Sequence, residues 1–543
     1  MLDPARSKNP STHASILRGN REIPRPPVGR VLPAVKVKSK DEEPEMNGRG
    51  KSDSPVVPTK PSNKAARAAA ERVEGRGLAK GNLPESGACR TQSRESATSA
   101  LERVRQAAKR DRRQRFTALL HHVYDVECLM RAYRAMAHEA AAGVDGQTWH
   151  RYGQDGLEQK LRDLSERLKT GAYRVSPVRR VYIPKADGRR RPLGVPTLED
   201  KLVQRATAEV LGAIYEEDFL GFSYGFRPKR SQHQALDALA VGIHSRKVNW
   251  VLDADIRSFF DTLDHGWMVK FLEHRVGDRR VVSLILRWLK AGVVEDGARR
   301  RSEEGTVQGG SISPLLSNVY LHYVFDLWVQ RWRKTQIKGD VIVVRYADDF
   351  IVGFEHRADA ERFLSELRER FLKFGLELHP EKTRLIEFGR FAAMSRRRKG
   401  LGKPETFNFL GFTHICGQSR GATFTVVRQT MRKQREAKLK AVTAELRRRY
   451  NASISETGAY LRAVLQGHYN YYGVPLNYRA LRAFQWALGR IWKRALERRS
   501  QRARVRWERM SRLIDRWLPP ARICHPFPFD RLNVKTQGKS RMR

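Results

Sequence analysis

The 543-residue chain carries 105 Lys and Arg against 59 Asp and Glu, a formal net charge of +46. That excess argues against a metabolic enzyme with small substrates and for a standing polyanionic partner. Nucleic acid is the expected one, because no apolar run approaches the length of a bilayer span. The four cysteines (Cys89, Cys128, Cys416 and Cys524) are scattered and never form C-x-x-C. With no secretory signal at the amino terminus, this indicates a reducing, cytoplasmic setting without a disulfide framework or thiolate zinc site.

Residues 1–95 are rich in Pro, Ser, Gly, Lys and Arg and nearly free of aromatics. Such a segment buries too little apolar surface to offset its ordering entropy and is expected to be a disordered basic extension. Helical periodicity starts near Ser99 with Leu101, Val104 and Ala108. It resumes after Phe116 in an amphipathic segment carrying Leu129, Met130, Tyr133 and Met136. Residues 178–195 read as a β-hairpin with Asp187-Gly188 as its turn, and Lys185 and Arg191 flank that turn on opposite strands, where spacing alone allows either a solvated charged tip or a held polyphosphate. A helix over Leu198 to Tyr215 and a loop at Phe222-Ser-Tyr-Gly-Phe-Arg-Pro228 follow.

Val248 to Asp261 alternates with period two, so Val251, Asp253 and Asp255 share one side of a strand and Trp250, Leu252 and Ala254 the other. An acid at the end of an apolar strand is costly without a partner or metal, which makes Asp255 a ligand candidate. Asp253 is the rival carboxylate, and periodicity does not separate them. An amphipathic helix is expected over 279–291. Gly305-Thr-Val-Gln-Gly-Gly-Ser-Ile-Ser-Pro-Leu-Leu-Ser317 then runs from a glycine-rich turn into a helix from Pro314 to about Arg333. Asp340-Val-Ile-Val-Val-Arg-Tyr-Ala-Asp-Asp-Phe-Ile-Val-Gly-Phe354 reads as a hairpin whose tip sets Asp348 beside Asp349, two charges that repel unless a cation is present. A helix over 359–374, a turn and strand over 376–386 and a basic loop at 396–403 come next. From Thr425 the composition shifts to basic helices interleaved with aromatics, as in Tyr469-Asn-Tyr-Tyr472 and Trp486 to Trp507, a pattern suited to RNA.

If the strands ending at Asp255 and turning at Asp348 and Asp349 pair, three carboxylates converge. Mg²⁺ is the hard cation such oxygens suit, and a pair of these ions is the clamp for in-line nucleotidyl transfer. At this point a resemblance emerges. Tyr346-Ala-Asp-Asp349, Asp255-Ile-Arg-Ser-Phe-Phe260 and Gln308-Gly-Gly310 resemble the motifs of a reverse transcriptase palm, and in that family's order. Arg191-Pro-Leu-Gly-Val-Pro196, Phe226-Arg-Pro228, Ser313-Pro-Leu-Leu316 and Leu378-His-Pro-Glu-Lys-Thr383 narrow the likeness to the reverse transcriptase/maturase of bacterial group II introns, over roughly residues 100–540.

The resemblance implies an α+β right-hand polymerase, its fingers and antiparallel palm sheet followed by an α-helical thumb/X domain. Its segments would be an N-terminal extension and fingers over 96–245, a palm over 246–424, thumb/X over 425–525 and a basic tail over 526–543. It further implies that Asp255, Asp348 and Asp349 are catalytic, with Asp255, Asp348 and the Ile256 carbonyl holding metal. Phe260 would exclude a ribose 2′-OH. Lys185, Arg191, Gln308, Gly309 and Lys382 would serve the dNTP, Lys382 near the leaving pyrophosphate. Val307 departs from the proline many relatives carry there. The implied cofactors and partners are two Mg²⁺ ions, dNTPs, group II intron RNA and target DNA, with no membrane. The chain ends soon after His525-Pro-Phe-Pro528 without paired cysteines, so the form lacking the HNH endonuclease is expected. Two rivals are a splicing factor with a vestigial polymerase, against which the intact acid set argues, and a reverse transcriptase of another kind, which need not carry the long basic C-terminal region.

Overall fold

The computed structural model describes residues 100–154, 156–184, 190–295, 298–300, 305, 309–419, 421–499 and 504–532. The expected basic extension over 1–95 therefore lies outside the described residues, as does the tail beyond 532. The described strands are, in chain order, β1 (Val178–Pro184), β2 (Arg190–Val195), β3 (Trp250–Ala254), β4 (Val293–Glu295), β5 (Ala298–Arg300), β6 (Val341–Tyr346), β7 (Asp349–Phe354), β8 (Arg384–Glu387), β9 (Phe407–Phe409), β10 (Phe412–Gln418) and β11 (Phe424–Thr430). They form three sheets, ordered β2-β1-β4-β5, β6-β7-β3-β8 and β11-β10-β9.

The middle sheet is antiparallel throughout, as expected of a palm. The expected alternation is realised in its packing. Leu252 and Ala254 of β3, with Val343, Phe350, Val352 and Phe354, enter one large core built on helices Ser313–Leu321, Leu327–Thr335 and Arg357–Lys373. Val251, Val344, Ile351 and Ile386 enter a second core against helix Gln232–Ser245 and the sheet β11-β10-β9. The β-branched and aromatic residues of these strands suit a sheet covered on both faces. Helix Gln232–Ser245 starts in a capping box, Ser231 and Gln234 bonding each other's backbone N–H.

Several expected elements changed at their ends. The segment after Phe116 is two helices, Leu120–Tyr124 and Val126–Arg134, because Asp125 turns extended and its carboxylate accepts the Cys128 N–H at 3.0 Å as an N-cap. The helix expected over 314–333 contains a π-helical turn at His322–Asp326. β11 pairs with β10 along its whole length, so the region after Thr425 begins as a strand and becomes helical only at Arg432.

Helices Arg432–Arg448, Ile454–Tyr472, Tyr478–Glu497 and Trp507–Trp517 enclose a third core around Leu461, Leu465, Tyr469, Phe484, Leu488 and Trp492. The strand before these helices and the segment after them are tied to the second core by an ionic knot. The buried Asp237 of helix Gln232–Ser245 pairs with the buried Arg428 of β11 and, at 3.0 Å, with Arg531 near the C-terminal end of the described chain. Asp237→Ala should destabilise the fold by about 3–5 kcal/mol, because the guanidinium of Arg428 would be left buried without its partner. Urea unfolding should show that loss, and the paired change Asp237→Leu with Arg428→Met should recover much of it.

Candidate active site

The register of the middle sheet builds the site. β3 runs antiparallel to β7, with Ala254 opposite Phe350, and β6 turns into β7 with Tyr346 opposite Asp349. The chain leaving β3 at Asp255 therefore lies beside the tip that carries Asp348 and Asp349. Asp253, Asp255 and Asp349 fall on the face of the sheet shared by Val251 and Ile351. The two-residue turn has a positive φ at Ala347 (58°) and not at Asp348, the pattern of a tight hairpin turn that follows the strand twist.

Past β3 the backbone stays ordered by the segment preceding β8. The His379 N–H donates to the Asp255 carbonyl and the Arg257 N–H to the Glu377 carbonyl, each at 2.8 Å, with Ile256 bridging Leu378 between them. In an antiparallel bridge bonded in this way, the central residue directs its own N–H and C=O to the opposite side. The Ile256 carbonyl is thus turned toward the hairpin tip. This is the structural part played by Leu378-His-Pro-Glu-Lys-Thr383.

Two cations address the acids. Lys382 bonds and ion-pairs with the Asp255 carboxylate, and Arg384 pairs with Asp253 at 3.3 Å. Desolvation, then the charges of Asp348, Asp255 and Asp253, push the Asp349 carboxyl up to about 7, with Lys382 partly offsetting them. Asp349 keeps an exposed side chain even so, open to the cleft. Among the described residues no group of three or more His, Cys, Asp or Glu side chains is gathered closely enough to hold a metal ion. The donor chemistry nevertheless fits one. Crowded carboxylates whose mutual repulsion raises a pKa, beside an outward-turned carbonyl, are the all-oxygen set that Mg²⁺ prefers.

Phe260 stands on a turn closed by the Asp261 N–H bonding the Ser258 carbonyl at 2.7 Å, and its ring meets Phe259 edge to face. Gly305 (φ +84°) is packed so tightly there that an added Cβ would lie 2.8 Å from the carbonyl oxygens of Phe260 and Asp261. Gly309 (φ +122°) touches β2, where a Cβ would come within 2.6 Å of the Gly194 carbonyl oxygen. Both glycines are required by close backbone approach. Lys185 and Gln308 lie outside the described residues. Arg191 is described only in its backbone, opposite Ile183 on the β1–β2 hairpin.

Asp253, Asp255 and Asp349 line a cleft of about 780 Å³ whose far wall was not anticipated from sequence. That wall carries Leu410, Met431 and Lys433. Leu410 (φ 47°) and Gly411 (φ 78°) form the β9–β10 turn, both in the left-handed region. The Tyr471 hydroxyl donates to the Leu410 carbonyl at 3.0 Å, and the Tyr472 hydroxyl lies 3.1 Å from where a Gly411 Cβ would stand. The readable signal was Leu-Gly between Phe409 and Phe412, a hairpin turn flanked by strand formers. It also corrects the expectation for Tyr469-Asn-Tyr-Tyr472. Tyr469 is fully buried, and Tyr471 and Tyr472 pack on Phe412, so these three rings are structural. Trp486 and Trp507 are exposed at 62% and 51%.

An antiparallel sheet bearing acids at the ends of two adjacent strands, with a glycine loop meeting a separate β-hairpin, defines the palm and fingers of a right-hand polymerase. A family model described as reverse transcriptase (RNA-dependent DNA polymerase) matches residues 183–414. Protein YkfC of Escherichia coli K12 is 36% identical over 306 residues, 50% of this chain and 80% of that protein. Group II intron-encoded protein LtrA of Lactococcus lactis subsp. cremoris is 35% identical over 224 residues, 41% of this chain and 37% of that protein. Nuclear intron maturase 2 of Arabidopsis thaliana is 28% identical over 114 residues, 20% of this chain and 15% of that protein. The chain belongs to the reverse transcriptase family, and its relatives include a group II intron-encoded protein and an intron maturase.

The two rival carboxylates make different predictions in a primer-extension assay. Asp253 is paired sideways with Arg384, so Asp253→Asn should stay within about tenfold of wild type. Asp255→Asn should lose at least about 10²–10³-fold, the scale of removing a group that stabilises transition-state charge.

Proposed function

We propose that this chain copies group II intron RNA into DNA, assists splicing of that RNA, and serves retrohoming of the intron. The observation that carries the reading is the β3–β7 pairing, which sets Asp255 beside Asp348 and Asp349 at one end of the sheet. Asp255, Asp348 and the Ile256 carbonyl would hold the metal, with Asp349 as the third acid. A bound pair of Mg²⁺ ions would supply activation of the attacking 3′-hydroxyl and charge stabilisation for the leaving pyrophosphate.

The chain's own residues do the rest. Lys185 and Arg191 would grip the triphosphate, and Gln308 and Gly309 would contact the nascent base pair. Phe260 blocks the space a 2′-OH would need, which selects dNTPs. Lys382, already bonded to Asp255, stays close enough to neutralise charge on the departing pyrophosphate. The β9–β10 turn across the cleft supports the primer strand opposite the acids.

Helices Arg432–Arg448 to Trp507–Trp517 act as the thumb/X region. Exposed Arg432 and Arg448 attract the RNA backbone. Exposed Trp486, with the Arg490 guanidinium 4.6 Å from its ring centroid, and Trp507 offer faces for unpaired bases. No described helix is long and apolar enough to cross a membrane.

Three measurements test this reading. Asp348→Ala should abolish primer extension on an RNA template, and undiminished synthesis would overturn the assignment. Phe260→Ala should relax dNTP-over-rNTP selectivity by about 10–200-fold, the range of a steric discrimination. RNA co-purifying with the full chain should be enriched in an intron, and Trp486→Ala with Arg490→Ala should weaken that retention while leaving extension on a short primer–template intact.

A further inference from the structure

The strand entering the catalytic turn carries a fully buried arginine. Arg345 of β6 is 0% exposed, and so is its partner Asp326. The Arg345 guanidinium donates from Nε to Asp326 Oδ1 at 2.7 Å and from Nη2 to Asp326 Oδ2 at 2.6 Å. Its Nη1 donates to Asn318 Oδ1 and to the carbonyl of Ala347, both at 3.0 Å. Ala347 is the first residue of the turn, so one guanidinium ties the turn to two helical side chains.

The other side of the turn is held by backbone. Asn318 donates from Nδ2 to the Gly225 carbonyl at 2.8 Å. Gly225 lies so close to the tip that a Cβ there would be 2.3 Å from the Ala347 nitrogen. The neighbouring Phe222 carbonyl accepts the Arg345 N–H at 2.9 Å, and the Arg345 carbonyl accepts the Tyr224 N–H at 2.8 Å. The tip is thus clasped between Gly225 and the Arg345 guanidinium, and Asn318 joins the two halves of the clasp.

The π-helical turn makes this possible. Asn318 and Asp326 are eight residues apart, and at about 100° per residue an unbroken α-helix would leave them about 80° apart around the axis. The wider turn over His322–Asp326 takes up most of that difference and brings both side chains onto Arg345. A buried ion pair is a poor stabiliser compared with apolar residues of equal volume. Its value here is directional, because a bidentate guanidinium fixes the acceptors it bonds in both distance and plane.

We propose that Arg345, Asp326 and Asn318 form a positioning device that holds the Ala347–Asp348 turn in place and thereby sets divalent-cation binding by the neighbouring carboxylates. The second half of this inference rests on the metal assignment made above; the first half does not. Adjacent acids repel one another and the acid across the strand, which drives the tip outward. The clasp opposes that drive from beneath without adding net charge, since Arg345 and Asp326 cancel.

The experiment uses the full chain and two readouts. Amide hydrogen exchange at residues 346–349 reads the turn directly, and Mn²⁺ binding followed by electron paramagnetic resonance reads the cation site without catalysis. Arg345→Lys keeps the charge, but one ammonium nitrogen with three donors cannot reproduce a planar fork that bonds four acceptor atoms. Asp326→Asn keeps the shape but not the charge. Asn318→Ala spares the ion pair and removes both bonds of the Asn318 amide, the one accepted from Arg345 and the one donated to Gly225. Arg275→Lys is the control, because Arg275 is equally buried, pairs with Asp218 at 3.1 Å and bonds the Ala108 and Asp111 carbonyls, none of them near the tip.

The three clasp variants should speed exchange at the turn by at least about tenfold and weaken Mn²⁺ binding by about 10–100-fold, as expected for residues that orient ligands. Arg275→Lys should lower the unfolding midpoint and change neither readout. Turn exchange and Mn²⁺ affinity at wild-type values in Asn318→Ala, the mildest variant, would overturn the proposal even if the other two failed to fold. If Asp348→Ala retains wild-type Mn²⁺ affinity, the metal assignment fails instead, and the exchange readout alone decides the clasp.

Discussion

Everything in this fold answers to one electrostatic problem, the convergence of carboxylates at the end of a sheet. Asp255 leaves β3 beside the tip carrying Asp348 and Asp349, and like charges in that geometry push the strands apart. The sheet resists because its register is pinned on both faces. A slip of one residue in β3 would turn Asp253 and Asp255 into the core now filled by Leu252 and Ala254, and carry those side chains out of it. Two cores on opposite faces therefore guard the same alignment.

The surrounding elements counter the repulsion from several directions. Lys382 and Arg384 reach the acids from β8 and the segment before it, and the Arg345 guanidinium sits beneath the turn. All three belong to short stretches that pair directly with β3 or form the hairpin itself. The site is thus a local consequence of strand pairing, whereas its walls come from distant parts of the chain. The glycine loop arrives against Phe260 and Gly194, and the β9–β10 turn closes the far side of the cleft.

The C-terminal helices are tied to this centre more closely than a separate RNA-binding module would be. Tyr471 and Tyr472 prop the turn facing the acids, while Asp237 joins β11 and Arg531 to the helix behind the palm sheet. Aromatic residues in a basic helix thus divide by burial into two kinds. Tyr471 and Tyr472 join the C-terminal helices to Phe412 of β10 and Tyr469 fills the core of those helices, whereas Trp486 and Trp507 face solvent.

Period-two alternation in β3 and the hairpin around Asp348 were legible in the sequence, because side chains on a strand must alternate and two acids at a tip interrupt an apolar pattern visibly; the antiparallel sheet was implied by the resemblance. That Asp255 would meet the Asp348–Asp349 tip followed from pairing of the two strands, and only resemblance to a family ranked Asp255 above Asp253. The structure supplies a physical difference, since Asp253 is turned toward Arg384 and Asp255 toward Lys382. What local pattern did not carry was any contact between residues far apart in sequence. The π-turn that aligns Asn318 with Asp326, the Gly225 backbone against Ala347 and the burial of Tyr469 depend on which surfaces meet after folding. Periodicity reports which face of an element is apolar; the partner that covers that face is decided only when the chain is packed.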